Sequence, residues 1–385
     1  MPTLFDNSPL TAAEFLRDYW QKKPLLLRQA FPDFRPDLDP DDIAGLAGDE
    51  LAEARLVTGR YPGGNWSVRY GPFTAGDFAA LPDRDWTLLV QDVEKHYPPL
   101  ARLLEAFAFL PRWRIDDLMV SVAAPGGSVG PHADQYDVFL LQASGRRRWQ
   151  LAERFDPELE PDCDLRVLRR FEAEQDWLLE PGDLLYLPPG IAHFGVAEWD
   201  VDGALCMTWS IGMRAPSAAD LFQGLGEWLA ADDREGGRYG DPGLQPAAGA
   251  GEIDAAVVTR LGDLARSVLD DAQRWPVFTG HFLSAYRLAH EPAPPPRTLR
   301  PGELRRALDS GARLRHNPWT RLLWQRSAEG ALLFAAGSAF ACSVETARTI
   351  CDPTVLAGLD AGALEAAESL VCELVNRGHL FIETV

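Results

Sequence analysis

The segment from Trp113 to about Ile211 constrains the fold of this chain more than any other. Its apolar residues recur at every second position, in short runs that Pro-Gly-Gly, Ser-Gly, Pro-Gly-Asp and Pro-Pro-Gly turns separate. Successive side chains of a strand point to opposite faces, so this period predicts strands with one buried face. Many short strands between tight turns are typical of a β-sandwich or small barrel, which is the architecture we expect here.

Helical periodicity flanks this segment on both sides. Thr11 and Glu14 have the spacing of a capping box, and they predict a helix that continues to Lys23-Pro24. Helix-period segments return from Ala218 to about Leu288 around a Gly/Pro-rich interruption at 234–251, whose Ala247–Gly251 end is rich in alanine and glycine. An apolar stripe in this part must be buried on the barrel or on a second subunit; it consists of Leu221, Leu225, Trp228 and Leu229.

A proline-rich linker at 291–297 marks the strongest boundary in the chain. The residues after it predict a small winged-helix-like α+β unit, with elements in the order helix (Gly302 to Ala307), hairpin (Arg321 to Ser327, then Ala331 to Cys342), helix after Ser343, helix near Leu364 to Asn376, and strand at His379 to Thr384. We therefore expect three domains: 1–211 β-rich with a helical N-terminal part, 212–296 helical, and 297–385 winged-helix-like.

The charge balance restricts the partners of the protein. Lys and Arg number 37 against 57 Asp and Glu, for a net charge of −20, while residues 297–385 hold ten of each sign. The negative charge therefore lies in the first two expected domains, where it repels nucleic acid and attracts basic partners. The cysteines number 5, are scattered and form no C-x-x-C, which favours a reducing, cytoplasmic location. No apolar run is long enough to predict a membrane span.

Two short motifs predict a metal site. In the first, Gly130-Pro-His132-Ala-Asp134, the imidazole and the carboxylate are two positions apart and share one face of a strand. The second runs from Pro181 to His193 and matches the second cupin motif, G-x5-P-x-G-x2-H, in which the turn directs the histidine into the barrel. Two histidines and one carboxylate leave coordination positions open, as non-haem Fe(II) requires, whereas a structural zinc site is closed by four ligands.

Alternation also indicates which other side chains point into the barrel. Arg147 is placed on the inner face with Trp149 and Leu151, where a buried guanidinium requires a carboxylate. That carboxylate belongs either to an internal Asp or Glu or to 2-oxoglutarate bound with the iron, and we favour 2-oxoglutarate. The inner positions of two further strands are small or polar; they are Asp117, Met119 and Ser121 on one strand, and Cys206, Thr208 and Ser210 on the other.

Together these motifs resemble the JmjC-type 2-oxoglutarate oxygenases, and more narrowly the bacterial ribosomal oxygenases that hydroxylate arginine in a large-subunit ribosomal protein. The resemblance extends to Tyr19-Trp-Gln-Lys-Lys-Pro-Leu25, Ile115–Met119 and Gly145–Trp149. It implies an α+β chain with a double-stranded β-helix (cupin/JmjC jelly roll), a helical domain that forms a homodimer, and a C-terminal winged-helix-like domain.

The resemblance also assigns the site. His132, Asp134 and His193 are implied to bind Fe(II), and Arg147 and Ser121 to bind 2-oxoglutarate, with O2 as the second cosubstrate. Asp117, Met119 and Tyr136 are implied to form the substrate pocket, in which a carboxylate receives the target guanidinium. The implied substrate is a basic ribosomal protein of the large subunit, in agreement with the negative charge.

Two alternatives stay open at this point. An N-methyl-lysine demethylase would use the same centre, with an aromatic cage in place of the carboxylate. A non-catalytic, metal-sensing cupin joined to a DNA-binding winged helix would need a basic face, which the balanced charge of residues 297–385 argues against. Four arginines there keep this regulator under consideration: Arg305, Arg306, Arg313 and Arg315.

Overall fold

Two β-sheets form the first part of the chain. The computed structural model describes residues 4–161, 163–199, 203–231, 237–246, 249, 251–360, 362 and 367–384, and it divides into two compact units, Met1–Ala215 and Pro216–Val385. The strands of the first unit are β1 (Leu25–Leu27), β2 (Ala54–Arg60), β3 (Gly64–Tyr70), β4 (Trp86–Val90), β5 (Ile115–Ala123), β6 (His132–Ala133), β7 (Val138–Ser144), β8 (Arg147–Ala152), β9 (Gln175–Leu179), β10 (Leu184–Leu187), β11 (Ala192–Ala197) and β12 (Cys206–Met213).

The sheets pack face to face as a jelly roll. The larger has the strand order β1-β10-β7-β12-β5-β4-β2-β3 and the smaller the order β6-β11-β8-β9. Apolar side chains of both sheets meet in one cluster, which includes Leu140 and Leu185 from the larger sheet and Trp149 and Leu151 from the smaller. The α+β class and the double-stranded β-helix expected from the sequence are confirmed.

Short helices cover the outer face of the larger sheet. They are α1 (Ala12–Asp18), α2 (Pro40–Leu46), α3 (Ala75–Ala79), α4 (Val93–His96) and α5 (Ala101–Leu104), with 3-10 turns at Pro98–Leu100, Glu105–Phe107 and Arg112–Arg114. Phe15 of α1 and Ile43 of α2 are fully buried in the same core as Leu118 and Val120 of β5. The opposite face of β5 therefore points into the space between the two sheets.

Two expectations for the N-terminal half were wrong. The capping box of Thr11 and Glu14 is present, but α1 ends at Asp18 rather than at Lys23, because Gln21 has a positive φ of 56° and Trp20 stacks on Tyr186 at 5.6 Å instead. The sheet also does not begin at Trp113, since β2, β3 and β4 precede that residue and extend the larger sheet.

The second unit combines helices with two small sheets. Its elements are α6 (Ala218–Ala231), α7 (Ala255–Leu269), α8 (Arg274–Ala285), α9 (Pro301–Asp309), β13 (Arg313–His316), β14 (Leu322–Ser327), β15 (Gly330–Ala335), β16 (Ser338–Cys342), α10 (Val344–Cys351), α11 (Pro353–Ala357), α12 (Glu368–Asn376) and β17 (Leu380–Glu383). Strands β14, β15 and β16 form one antiparallel sheet, and β13 pairs with β17. Within the described residues no helix is long and apolar enough to cross a membrane.

The second unit corrects several sequence predictions. The expected second strand, Ala331 to Cys342, is two strands, because Ala336 and Gly337 turn the chain with φ values of 43° and 84°. The last helix is described from Glu368, while Leu364 to Ala366 lie outside the described residues. Likewise, Ala247, Ala248 and Ala250 of the expected loop are not described. The separate domain boundary at the proline-rich linker stays a prediction.

The apolar stripe of α6 packs against α8 within its own unit. Leu225 is 7% exposed and packs with Phe278 and Phe282 of α8, and the other three residues of the stripe contact the same cluster. The expectation that this stripe can be buried only on the barrel or on a second subunit was therefore wrong, while dimerisation through the helical segment stays a prediction. Other apolar residues of α6 and α7 remain exposed.

Candidate metal centre

Two neighbouring strands bring the predicted metal ligands together. His132 of β6 lies directly opposite His193 of β11, with the ring centroids 4.2 Å apart. Asp134 follows β6, and its carboxylate oxygens lie 3.9 Å from His132 Nε2 and 3.7 Å from His193 Nε2. One ligand atom of each residue lies within 4.8 Å of the others, which is a suitable arrangement for one metal ion.

Backbone carbonyls orient both imidazoles in the same way. Nδ1 of His132 is 2.9 Å from the Gly130 oxygen, and Nδ1 of His193 is 3.0 Å from the Ile191 oxygen. An Nδ1–H that donates to a carbonyl leaves Nε2 as the lone-pair nitrogen, so both free nitrogens face Asp134. Burial, together with the neighbouring His132, lowers the pKa of His193 to about 4, which keeps the imidazole neutral and able to bind metal at neutral pH.

Each of the two metal-site motifs has a glycine in the turn that precedes or faces a proposed ligand, and the backbone there requires it. Gly130 has a φ of +80°, and a Cβ there would lie 2.8 Å from Val167 and 3.0 Å from Trp66. Gly190, with a φ of +81°, donates its N–H to the Asp134 carbonyl at 2.8 Å. That bond joins the two ligand-bearing segments across the mouth of the barrel.

Arg147 is buried between the sheets without an ion pair among the described residues. It is 4% exposed, its Nε and Nη2 have no hydrogen-bond partner, and its guanidinium lies 5.8 Å from the ring centroid of Trp149. Its neighbours Arg148 and Gln150 point outwards and are partly exposed, as alternation predicts. An anion of suitable size would satisfy these buried donors.

Ser121 and two polar neighbours line the same space from the larger sheet. Ser121 is 5% exposed and donates its hydroxyl to the Thr208 carbonyl at 3.3 Å. The Thr208 hydroxyl donates in turn to Gln142 Oε1 at 3.2 Å. Met119 lies on the same face of β5, two residues before Ser121, and is partly buried.

Asp117 lies at the start of β5 within a group of four carboxyl groups. Burial, with the nearby Asp116 and Asp92, raises its pKa to about 7. Its Oδ2 accepts a long hydrogen bond of 3.4 Å from the Asp92 N–H. Burial raises the pKa of the Tyr136 hydroxyl, and the carboxylates of Asp134 and Asp117 raise it further.

The remaining members of this acidic group were not singled out from the sequence. Arg214 donates to the Asp116 carboxylate at 2.7 Å, and Lys95 pairs with Asp92. Glu94 accepts a 2.9 Å hydrogen bond from the Leu118 N–H, and burial raises its pKa to about 8. The adjacent pair Asp116-Asp117 was a possible signal, but nothing in the sequence places α4 beside β5.

Comparisons with known proteins agree with this geometry. Residues 102–221 match the family model of the JmjC domain, and residues 267–381 match that of the ROXA-like winged helix. The ribosomal protein uL16 3-hydroxylase of Escherichia coli K12 is 38% identical over 299 residues, which are 77% of this chain and 78% of that protein. The chain belongs to the ribosomal oxygenase family of JmjC-domain proteins.

Other ribosomal oxygenases extend the match. A probable ribosomal oxygenase of Haemophilus influenzae is 42% identical over 227 residues, covering 58% of this chain and 54% of that protein. The solved structure of the E. coli ribosomal oxygenase YcfD in complex with cobalt and 2-oxoglutarate superposes on 97% of this ribosomal oxygenase and 99% of that chain, with a TM-score of 0.82 and 34% identity. The expected family, jelly roll and winged-helix domain are thereby confirmed.

Proposed function

We propose that this protein is an Fe(II)- and 2-oxoglutarate-dependent hydroxylase of an arginine in a basic ribosomal protein of the large subunit. The observation that carries the proposal is the convergence of a two-histidine, one-carboxylate centre with a buried, unpaired arginine in the same barrel. The E. coli relative that matches over 299 residues is named for the hydroxylation of uL16, so we take uL16 as the first substrate to test.

The donor set fits iron. Two neutral imidazole nitrogens and one carboxylate oxygen on one side of a metal are the ligands of non-haem Fe(II) oxygenases, and they leave positions for a cosubstrate and O2. His132, Asp134 and His193 would hold the ion. When bound, iron, 2-oxoglutarate and O2 supply the oxidation, which yields succinate and CO2 and places one oxygen atom on the substrate.

The buried guanidinium fits the cosubstrate. Arg147 has no carboxylate partner among the described residues, which supports 2-oxoglutarate over an internal ion pair as its partner. We propose that its fork binds the distal carboxylate and that the Ser121 hydroxyl lies in the same pocket. YcfD has been solved with cobalt and 2-oxoglutarate and also with cobalt and succinic acid, which supports this use of the cavity.

The charge balance beside Tyr136 favours a cationic target side chain. Lys95 and Arg214 neutralise Asp92 and Asp116, and the raised pKa of Glu94, about 8, leaves that group protonated at neutral pH. Asp117 is then the carboxylate of the group that forms no ion pair among the described residues. We propose that it receives the target guanidinium, while Met119 and the ring of Tyr136 contact its apolar and planar surfaces.

A peptide assay tests the proposal and separates it from demethylation. The purified protein is loaded with Fe(II) and 2-oxoglutarate and given uL16 peptides that carry the target as arginine, lysine or N-methyl-lysine. We expect the arginine peptide to gain the mass of one oxygen atom, and the lysine peptide to react poorly because a point charge does not replace the planar fork. Loss of a methyl group from the N-methyl-lysine peptide, with an unmodified arginine peptide, would instead establish a demethylase.

A further inference from the structure

One row of side chains leads from the cosubstrate pocket to the edge of the larger sheet. The strand register pairs Gln142 with Thr208, Thr208 with Ser121, Ser121 with Leu89, Leu89 with Arg55, and Arg55 with Tyr70. Residues paired directly across strands share one face of the sheet. Exposure is 1% at Thr208, 5% at Ser121 and 4% at Leu89, and it reaches 68% at Tyr70. The row therefore runs from the interior to the surface.

Arg55 lies where this row leaves the interior. It is partly buried, its Nε is inaccessible and has no hydrogen-bond partner, and it forms no ion pair among the described residues. The flanking Ala54 and Leu56 point to the other face, into the helix-covered core. A guanidinium has donors only, and no acceptor of the described chain satisfies this buried N–H.

Arg55 is also close to the proposed substrate pocket. The register of β2 with β4 and of β4 with β5 puts Arg55 on the same face of the larger sheet as Ser121, and therefore as Met119, two residues before Ser121 on β5. Arg55 lies two strands from Ser121, a distance of about 10 Å at about 4.8 Å per strand. An extended polypeptide spans that distance in about three residues, at about 3.3 Å per residue.

We propose that Arg55 binds a main-chain carbonyl oxygen of the substrate polypeptide, within about three residues of the hydroxylated side chain. This inference rests on the proposed function and deepens it. A basic substrate segment offers few carboxylates, and its cationic side chains are repelled by Arg55, whereas every residue carries a carbonyl oxygen. The exposed ring of Tyr70, directly opposite Arg55, gives the bound segment an apolar surface to pack on.

The test compares Arg55→Met and Arg55→Lys with a matched control, Arg69→Met. Arg69 belongs to the same hairpin but lies opposite Leu56, on the other face, where it pairs with Asp77. For Arg55→Met we expect the KM of the uL16 peptide to rise about tenfold, the effect of one lost charge-assisted hydrogen bond. The cosubstrate KM, uncoupled succinate formation and the melting temperature should equal those of the wild type, as should the peptide KM of Arg69→Met. Arg55→Lys should recover part of the loss.

Ionic strength distinguishes the carbonyl from an acidic partner. A bond to a neutral oxygen predicts that the KM ratio of Arg55→Met to wild type does not fall between about 0.05 M and about 0.5 M salt, because no attraction between opposite charges is screened. A ratio that falls with salt would overturn the carbonyl assignment. A higher cosubstrate KM and a lower melting temperature would make Arg55 a structural residue.

Whether the wild-type protein hydroxylates the peptide shows which of the two claims, this inference or the proposed function, has failed. A wild-type protein that hydroxylates the peptide, beside an Arg55→Met variant with an unchanged peptide KM, overturns the role of Arg55 alone. A wild-type protein that turns over 2-oxoglutarate but modifies no ribosomal peptide removes the proposed function and this inference with it.

Discussion

At the scale of single residues, the three proposed metal ligands differ in how deeply they are buried. The side chains of His132 and Asp134 are 24% and 23% exposed at the barrel mouth, whereas the His193 side chain is 4% exposed. His132→Ala and Asp134→Ala should therefore abolish Fe(II) binding and succinate formation with little loss of stability. Calorimetric titration with Fe(II) under anaerobic conditions, beside a melting curve, measures both. Normal succinate production by either variant would remove these residues from the metal site.

Arg147 should affect the cosubstrate but not the metal. We expect Arg147→Met to raise the cosubstrate KM about a hundredfold, since losing a charged bidentate partner costs about 3 kcal/mol. The affinity for Fe(II) should not change, because no metal ligand is lost. The melting temperature without cosubstrate should stay equal or rise, because an unpaired buried charge is replaced by an apolar side chain of similar length. An unchanged cosubstrate KM would instead indicate a structural role.

The raised pKa of Asp117 predicts a pH dependence of substrate binding. With a pKa of about 7 the free carboxyl group is largely protonated below pH 7 and ionised above it. A guanidinium binds the ionised form, so the KM of an arginine peptide should rise as the pH falls below about 7, by up to about tenfold per unit. Steady-state kinetics from pH 6 to about 8.5 test this. Asp117→Asn should show a high KM that is independent of pH, and a wild-type KM as flat as that of the variant would contradict the assignment.

At the scale of secondary-structure elements, the exposed apolar residues of α7 support the expected homodimer. Val258 and Leu261 are 62% and 50% exposed and lie three residues apart, on one face of the helix. The double variant Val258→Asp, Leu261→Asp should therefore be monomeric. Val355→Asp, at a 49% exposed position of α11, is the control and should remain dimeric. Light scattering that gives a 42.5 kDa particle for the wild type would refute the dimer.

Elements whose periodicity alone decides their structure could be predicted from the sequence. Alternation correctly separated Arg147 from Arg148, and the i, i+2 spacing of His132 and Asp134 placed both side chains at one mouth. The start of the helix after Thr11 could be predicted but its end could not, because Trp20, just beyond the helix, is held by stacking on the distant Tyr186. Strands β2 to β4 were missed although a Pro-Gly-Gly turn lies between the first two, since these short strands, with α3 between β3 and β4, carry a weak periodic signal.

The ion pairs could not be predicted either, because their members come from strands that are distant in sequence. Arg214 and Asp116 are far apart in sequence and meet because β12 pairs with β5. Arg55 is similarly defined by register, since only the pairing of β2 with β4 and of β4 with β5 aligns it with Ser121. Sequence spacing carries no information on such nonlocal contacts, and the resemblance to a family supplied only the residues that the family's motifs contain.

At the scale of the whole molecule, charge favours a basic protein over nucleic acid as the partner. The net charge of −20 lies outside residues 297–385, in which the signs balance. Two of the four arginines that kept a DNA-binding role open are neutralised, since Arg305 pairs with Glu368 at 2.7 Å and Arg315 with Glu383 at 2.9 Å. The net negative charge would attract a basic ribosomal protein over a long range, and the Asp117 carboxylate would attract its arginine at the site. Both therefore favour the same kind of partner.

Mass spectrometry of large-subunit ribosomal proteins tests the central claim most directly, in cells that carry the gene and in cells from which it has been deleted. We predict that one basic protein, uL16, is heavier by one oxygen atom in the cells with the gene, and that fragmentation places this oxygen on an arginine. The His132→Ala variant, returned to the deletion cells, should leave the protein unmodified. Identical ribosomal protein masses in the two cell types, or an oxygen on a residue other than arginine, would contradict the account.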